Sequence, residues 1–120
     1  MFEQRLKRFG KATRHQPGVM NKTEAAYAQV LEGRRLAGEI VAWWFEKVTL
    51  KLANDCRYTP DFMVQMADDT IEFHEVKGFM REDAQVKLKV AAGALPFRFR
   101  LVKAIPKKDG GGWSIQEVSP

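Results

Sequence analysis

A strand, a helix and a second strand in the latter half of the chain constrain the fold more than any other feature. Apolar residues recur at helical spacing over residues 81–95, and Pro96 ends that pattern. Residues 71–77 before it and residues 97–101 after it are apolar with partial alternation, which is typical of strands. An intervening helix allows a right-handed crossover, so we expect the two strands to be parallel neighbours in one sheet.

One helix and two more strands precede this unit. Asn21 is a suitable N-cap, and apolar residues follow it at helical spacing. Residues 44–52 alternate between apolar and polar side chains, which predicts a strand. Residues 57–66 predict the next strand, and Asp68-Asp69 predicts the turn into the strand that begins at residue 71.

The resulting order, αβββαβ, sets the expected fold class. We expect an α/β protein, more closely an α+β fold with a mixed sheet flanked by helices. Residues 113–118 predict a short additional edge strand after a polar loop. A chain of 120 residues with 45% hydrophobic content suits a single domain, which we place at residues 21–120, with residues 1–20 as a separate arm.

Composition argues against several classes of protein. The longest apolar run, Ile40–Phe45, is far too short to span a bilayer, and no signal peptide is evident, so we expect a cytoplasmic protein with no membrane partner. Cys56 is the only cysteine, which rules out an intrachain disulfide. The chain has only two histidines, His15 and His74, which argues against a zinc site of the usual ligand type.

The positive charge is concentrated at the N-terminus. Residues 1–22 contain six basic residues against Glu3 alone, and they account for the whole net charge of +5. The six are Arg5, Lys7, Arg8, Lys11, Arg14 and Lys22. A basic arm on an otherwise neutral domain suits contact with the phosphates of DNA, although a solvated terminus has the same composition. Because Phe2, Leu6 and Phe9 recur near helical spacing, the arm could instead dock on its own domain or on a partner.

Charged residues within two predicted strands indicate the chemistry. Pro60-Asp61 is followed, fourteen residues after the aspartate, by Glu75-Val76-Lys77. Glu75 and Lys77 are two residues apart, so on a regular strand they share a face. Carboxylates that meet at one point can hold a hard divalent cation, and a nearby lysine can steer a water molecule or stabilise negative charge. This combination can hydrolyse a phosphodiester.

The turn between these strands must have a particular length for such a site to form. In an antiparallel pair, opposed residues share a face and their numbers have a constant sum. A two-residue loop at Asp68-Asp69 would pair Asp61 with Val76 and turn it away from Glu75. We therefore predict an odd-length loop, such as residues 67–69, or a bulge near Pro60.

These residues resemble a known family of nucleases. The chain resembles the PD-(D/E)xK nuclease superfamily over residues 21–105, and is most similar to its phage endonuclease I-like members, which resolve Holliday junctions. The segments that carry the resemblance are Asn21-Lys22-Thr23-Glu24, Tyr58-Thr59-Pro60-Asp61-Phe62 and Glu75-Val76-Lys77-Gly78-Phe79. The resemblance implies an endodeoxyribonuclease that depends on Mg²⁺ or Mn²⁺, leaves 5′-phosphate ends and acts on branched DNA as a homodimer.

The resemblance also assigns roles to single residues. It implies that Asp61 and Glu75 are the principal metal ligands, with the Val76 carbonyl as a third. Glu24 would bind a second ion or a metal-bound water, and Lys77 would position the attacking water. Three basic residues that follow the site, Arg81, Lys87 and Lys89, are candidates for holding the flanking phosphates, although a solvated helix face is an equal alternative.

Each of these residues also has an explanation that involves no catalysis. Glu75 and Lys77 could form a surface salt bridge, and Asp61 could be a turn residue after Pro60. Asn21 and Glu24 fit a capping box, which would leave Glu24 with a purely structural role.

The remaining singled-out side chains favour structural roles. A regular strand turns His74 away from Glu75, so we expect it to be structural. The aromatic run Trp43-Trp44-Phe45 is expected in the core or at a subunit interface.

Other functions find little support in the sequence. Gly110-Gly111-Gly112 lacks the residues of a phosphate-binding loop, so we expect no nucleotide cofactor. The alternative to a nuclease is a non-catalytic protein on the same fold, either a DNA-binding module or a phage assembly accessory protein. Such a protein would bind DNA or a partner without cutting DNA in Mg²⁺.

Overall fold

The structure, a computed structural model, describes residues 18–77 and 82–120. Within these residues it contains two α-helices, seven strands and one short 3-10 helix. The α-helices are α1 (Lys22–Leu36) and α2 (Glu82–Ala94), and the 3-10 helix is Lys107–Asp109. The strands are β1 (Ile40–Phe45), β2 (Leu50–Ala53), β3 (Cys56–Tyr58), β4 (Phe62–Met66), β5 (Ile71–Lys77), β6 (Arg98–Ala104) and β7 (Trp113–Glu117).

Five of the strands form one mixed sheet in the order β1-β4-β5-β6-β7. The pairs β1–β4, β4–β5 and β6–β7 are antiparallel, whereas β5 and β6 are parallel. Helix α2 provides the crossover between the two parallel strands, which confirms the prediction made from residues 71–101. The α+β class with a mixed sheet is confirmed as well, and β7 lies at the predicted edge position.

The two helices cover opposite faces of this sheet. Side chains alternate along β4, β5 and β6, so each face has its own apolar cluster. The cluster under α1 contains Tyr27, Ala28, Leu31, Ile40, Phe62, Val64, Val76 and Val102. The cluster under α2 contains Leu50, Tyr58, Phe73, Leu88, Ala91 and Phe99. The sheet is therefore flanked by helices, and the face under α2 is the one that carries Glu75 and Lys77.

Helix α1 begins where the sequence predicted it. The Asn21 side chain accepts a hydrogen bond from the backbone N–H of Glu24 at 2.8 Å, and Glu24 Oε1 accepts one from the backbone N–H of Asn21 at 2.9 Å. This reciprocal capping box satisfies two backbone donors that the first turn leaves free. Gly38, with a φ of 81°, adopts a left-handed conformation two residues after the helix ends.

The prediction of two long strands, at residues 44–52 and 57–66, was wrong. Glu46 has a φ of 48°, a left-handed conformation that ends β1 and interrupts the pleat. On the partner segment Pro60, which cannot donate to a ladder, separates β3 from β4. The segment between Glu46 and Pro60 forms a separate two-stranded sheet of β2 and β3. The apolar run 40–45 is itself β1, four residues earlier than the predicted strand start.

Over the described residues, no helix is both long enough and apolar enough to cross a membrane.

Candidate active site

The β4–β5 hairpin brings the two predicted carboxylates together. Its opposed pairs include Phe62 with His74 and Gln65 with Ile71, and the two numbers in every pair add to 136. The connecting loop has three residues, 67–69, and Asp69 takes the left-handed conformation with a φ of 70°. The prediction of an odd-length loop is confirmed. Continuing the register by one residue places Asp61 opposite Glu75.

Hydrogen bonds fix the two carboxyl groups relative to each other. Asp61 Oδ2 accepts a hydrogen bond from the Val76 backbone N–H at 2.8 Å, which ties it to the residue after Glu75. Glu75 Oε1 accepts a hydrogen bond from the Tyr58 hydroxyl at 2.5 Å and a longer one, at 3.4 Å, from the Asp61 backbone N–H. We call Asp61 and Glu75 the acidic pair. Each carboxyl is thus held by the backbone of the opposite strand.

Asp61 is buried and Glu75 is half-buried, in surroundings that are unfavourable to two negative charges. Burial raises the pKa of Asp61, and the charges of Glu75, Glu24 and Glu46 raise it further, against the hydrogen bond from Val76. Removal from water likewise raises the pKa of Glu75, with smaller contributions from Glu24 and Glu46, against its hydrogen bonds from Tyr58 and Asp61. The pair therefore holds a proton more readily than isolated carboxyls do, which is typical of carboxyls gathered at a functional site.

Glu24 lies near the acidic pair, but its one documented role is in the helix cap. Its side chain is only 5% exposed, and its charge acts on both Asp61 and Glu75. One of its oxygens is engaged by the capping box. The capping role that was the alternative for Glu24 is therefore observed, and its role as a metal ligand stays a prediction.

Glu46 is, after Glu24, a second carboxylate near the acidic pair, and the sequence reasoning missed it. Its backbone N–H donates to the Asp61 carbonyl at 2.8 Å, and its Oε1 accepts from the Gly18 N–H at 2.7 Å. Its charge raises the pKa of Asp61 and of Glu75. A long strand through residues 44–52 would have made Glu46 an ordinary strand residue. The signal available in the sequence was an acidic residue directly after the apolar run 40–45.

Tyr58 is the second functional candidate that the sequence reasoning did not assign. It is the last residue of β3, and its ring is buried in the cluster under α2. Burial raises the pKa of the Tyr58 hydroxyl, and the neighbouring Glu75 carboxylate raises it further. The hydroxyl therefore stays protonated and remains a donor to Glu75. Its position three residues before Asp61 was the available sequence signal.

Lys77 is the last residue of β5, half-buried and on the same face as Glu75. Among the side chains that the structure describes, those of residues 18–77 and 85–120, no carboxylate lies within ion-pair distance of the Lys77 ammonium. The alternative of a surface salt bridge between Glu75 and Lys77 is therefore wrong.

The donor chemistry of the acidic pair fits a hard divalent cation. Its ligands would be carboxylate oxygens, which Mg²⁺ and Mn²⁺ prefer, and no basic side chain in the described segments neutralises either carboxyl in an ion pair. Among the side chains of residues 18–77 and 85–120, no three His, Cys, Asp or Glu residues converge into a ready-made metal cage. Any metal at this pair would therefore need backbone oxygen, such as the Val76 carbonyl, or water to complete its coordination.

The predicted DNA contacts are only partly within the described residues. Lys22 is exposed at the start of α1, while on α2 Lys89 is exposed and Lys87 is half-buried. None of the three forms an ion pair with the side chains described for residues 18–77 and 85–120. Arg81 and the basic residues of the arm, Arg5, Lys7, Arg8, Lys11 and Arg14, lie outside the described residues.

His74 lies on the opposite face of the sheet, which confirms the expectation that it points away from Glu75. Its Nε2 is 3.0 Å from Glu72 Oε1, and its Nδ1 is 2.7 Å from the Tyr27 hydroxyl. Burial lowers the pKa of His74, so the neutral ring donates to Glu72 and accepts from Tyr27. Arg100 completes the network with a 3.3 Å contact to Glu72. This network holds α1 against the sheet and takes no part in the candidate site.

All three residues of the aromatic run are half-buried, and Trp43 and Phe45 pack against the cluster under α1. The Trp43 indole N–H also donates to Glu32 at 3.0 Å. The core alternative is confirmed for these two residues.

Comparison of the chain with protein-family models, with curated proteins and with solved structures found no match. Function is therefore inferred from the geometry of the site.

Proposed function

We propose that this protein is a metal-dependent endodeoxyribonuclease that hydrolyses DNA phosphodiester bonds. Its substrates would include branched DNA such as Holliday junctions, and the metal would be Mg²⁺ or Mn²⁺. The observation that carries the proposal is the register of the β4–β5 hairpin, which sets Asp61 opposite Glu75 at the end of the sheet. Two carboxyls withdrawn from water, beside a lysine without an ion-pair partner among the described residues, are costly to fold, which favours a role in binding or chemistry.

The acidic pair would bind the cation and fix its position. Asp61 and Glu75 each present carboxylate oxygen, and the hydrogen bonds from Val76 and Tyr58 hold those oxygens in place before any ligand arrives. The Val76 carbonyl and Glu24 are the other candidate ligands. A bound Mg²⁺ or Mn²⁺ would supply Lewis-acid polarisation of the phosphate and a lowered pKa for an attacking water.

Lys77 would act on the phosphate rather than on the metal. Lys77 follows Glu75 by two residues on β5 and so shares its face, which would bring a phosphate at the acidic pair within the reach of its flexible four-carbon side chain. There it would orient the attacking water and stabilise the negative charge that develops on the phosphate oxygens. This divides the work, because the carboxylates bind the cation and the lysine binds the anion.

Two partners follow from the proposed chemistry. DNA is the substrate, and the basic residues of the arm would add contacts to its backbone. Resolution of a four-way junction needs two coordinated cuts, so a homodimer is the expected assembly if that is the substrate. A cytoplasmic location is consistent with both.

Incubation of the purified protein with labelled DNA structures tests this function. The panel contains a four-way junction, a flap, a mismatch and plain duplex, each in Mg²⁺, in Mn²⁺ and in excess chelator. We expect cleavage of at least one structure only with metal, and loss of cleavage in Asp61→Asn and Lys77→Ala. Asp55→Asn is the matched control, because Asp55 lies in the exposed β2–β3 turn.

The outcomes separate the proposal from its alternative. Cleavage that persists in chelator or in Asp61→Asn would contradict the mechanism. Binding of these DNA structures without cleavage in either metal would favour the non-catalytic DNA-binding protein.

A further inference from the structure

The parallel pair β5–β6 places a second lysine beside Lys77. The register of these strands pairs Phe73 with Phe99, then Glu75 with Leu101, then Lys77 with Lys103. The paired side chains lie side by side on the face under α2, as the stacked rings of Phe73 and Phe99 show with centroids 5.5 Å apart. Lys103 is therefore one strand away from Lys77, at a strand spacing of about 4.8 Å.

Among the side chains that the structure describes, none accounts for this pair of lysines. Like charges on adjacent strands destabilise a sheet. Both lysines are half-buried, so water screens them less than it screens exposed charges. Among the described side chains, those of residues 18–77 and 85–120, no carboxylate lies within ion-pair distance of Lys77 or of Lys103. The arrangement costs stability unless an anion occupies the space between the two ammonium groups.

We infer that Lys103 is a second phosphate-binding residue of this site and acts together with Lys77. The inference rests on the proposed function and adds a substrate contact to it. Both lysines lie near the carboxyl ends of β5 and β6, on the same face of the sheet as Glu75. An anion bound between them would therefore lie beside Glu75. The ligand chemistry this fits is a backbone phosphate of DNA, next to or at the bond that is cut. Two ammonium groups would give it more charge stabilisation than Lys77 alone.

A simpler role for Lys103 is to cover apolar surface. Its aliphatic stem could shield Leu101 and Phe99 while the ammonium reaches water, as lysines often do. Lys103→Met separates the two roles, because it keeps an unbranched apolar side chain and removes only the charge. Lys103→Arg keeps the charge and is the conservative variant.

The chain offers a matched control in the small sheet. Lys51 is directly opposed to Arg57 in the β2–β3 pair, so it too belongs to a like-charged pair on adjacent strands. Both of these residues are exposed. Lys51→Met therefore makes the same chemical change in a solvated pair outside the site.

The experiment measures DNA affinity in chelator as a function of salt, single-turnover cleavage in Mg²⁺, and thermal stability. For Lys103→Met we expect the slope of log affinity against log salt to fall by about one unit, because one fewer phosphate is neutralised. We expect the cleavage rate to fall by at least about tenfold, since a charge that stabilises the reacting phosphate is removed. We expect the melting temperature to stay level or rise, because the repulsion is relieved. Lys103→Arg should retain the salt slope, and Lys51→Met should change neither slope nor rate.

The results distinguish this inference from the function on which it rests. If the wild type cuts DNA and Lys103→Met keeps the wild-type slope and rate, the inference fails and the nuclease stands. An equal reduction in Lys51→Met would also overturn it, because the effect would then be one of general charge. If the wild type binds DNA without cutting it and Lys103→Met lowers the slope, the phosphate contact stands and the nuclease fails. If the wild type binds no DNA, both fail.

Discussion

At the scale of single residues, the acidic pair depends on a side chain in another sheet. Tyr58 belongs to the two-stranded sheet, yet its hydroxyl donates to Glu75 at 2.5 Å. A donor behind a metal-binding carboxylate restricts its rotation and sets which oxygen faces the ligand. The position of Glu75 is thus linked to the packing of β2 and β3 on the face under α2.

Tyr58→Phe should weaken metal binding without unfolding the protein. Removal of a hydrogen bond that supports a ligand typically costs about 10-fold to 100-fold in metal affinity, and we expect a reduction in that range. Calorimetric titration with Mn²⁺ measures it without DNA. Tyr27→Phe is the matched control, since it removes the other buried tyrosine hydroxyl, which contacts His74. It should lower the free energy of unfolding by about 1–3 kcal/mol and leave Mn²⁺ affinity unchanged. Wild-type Mn²⁺ affinity in Tyr58→Phe would contradict this role.

The raised pKa values of the acidic pair predict a dependence of stability on pH. A carboxyl whose pKa is higher in the folded than in the unfolded state binds protons more tightly when folded, so its contribution to stability is lost as pH rises. The decrease begins above the ordinary values of 3.8 for Asp61 and 4.5 for Glu75 and continues through the raised values. Asp61→Asn removes one of the two charges and should flatten the curve.

Chemical unfolding in chelator, measured at several pH values above about 5, tests this difference. His74, whose pKa is lowered by burial, acts in the opposite direction near its ordinary value of 6.5 and is common to both proteins. As pH rises above about 5, we therefore expect the free energy of unfolding of the wild type to fall by at least about 1.4 kcal/mol more than that of Asp61→Asn. This difference is the equivalent of one pKa unit. If the free energy of unfolding depends on pH in the same way in both proteins, the folded state does not raise the pKa of Asp61 and the prediction is wrong.

At the scale of elements, the first turn of α1 combines two roles that can be separated. Glu24→Gln keeps a side chain that can complete the capping box but removes its negative charge. Asn21→Ala removes the cap and leaves the Glu24 carboxylate. The two variants therefore test the helix cap and the proposed metal-binding role of Glu24 independently.

We expect Glu24→Gln to have the free energy of unfolding of the wild type. Its Mn²⁺ affinity should fall by at least about tenfold, which is the usual effect of removing a group that supports a metal site. Asn21→Ala should lose about 1 kcal/mol in the free energy of unfolding and keep its Mn²⁺ affinity. Urea unfolding and calorimetric titration measure the two quantities. Unchanged Mn²⁺ affinity in Glu24→Gln would restrict Glu24 to the cap.

The elements also show which parts of the fold the sequence can predict. The crossover from β5 to β6 follows from local periodicity, whereas the three-residue loop at 67–69 follows from the requirement that Asp61 and Glu75 share a face. The break at Glu46 does not, because a left-handed conformation in a non-glycine residue is stabilised by tertiary contacts such as the 2.8 Å bond to Asp61. The roles of Glu46 and Tyr58 depend on that break, and for the same reason sequence patterns did not reveal them.

At the scale of the whole molecule, charge and chemistry occupy different parts of the chain. Residues 1–17 contain five basic residues and one acidic residue, whereas the acidic pair and its lysines lie in the sheet. A truncation that begins at Gly18 keeps the bond from its N–H to Glu46 and the packing of Met20 against the core. We therefore expect this variant to bind DNA more weakly but to keep most of its cleavage rate.

We expect removal of residues 1–17 to weaken DNA binding and to flatten its salt dependence, by roughly one unit of slope for each phosphate that these residues neutralise. The cleavage rate at saturating protein and low salt should stay within about tenfold of wild type, or roughly 1.4 kcal/mol in barrier height. Fluorescence anisotropy at several salt concentrations and single-turnover kinetics measure the two effects. Unchanged affinity and slope would point instead to docking of the segment with Phe2, Leu6 and Phe9 on another surface.

The central claim is that Asp61 and Glu75 form one metal-binding site. Anomalous scattering from crystals soaked in Mn²⁺ tests it most directly, because it locates the metal without reference to any activity. The account predicts a manganese peak bound by a carboxylate oxygen of Asp61 and one of Glu75, about 2.1–2.2 Å from each on the scale of hard-cation ligation. The peak should be absent in Asp61→Asn. Full manganese occupancy elsewhere with none at the pair, or carboxylates on opposite faces of the β4–β5 hairpin, would contradict the claim.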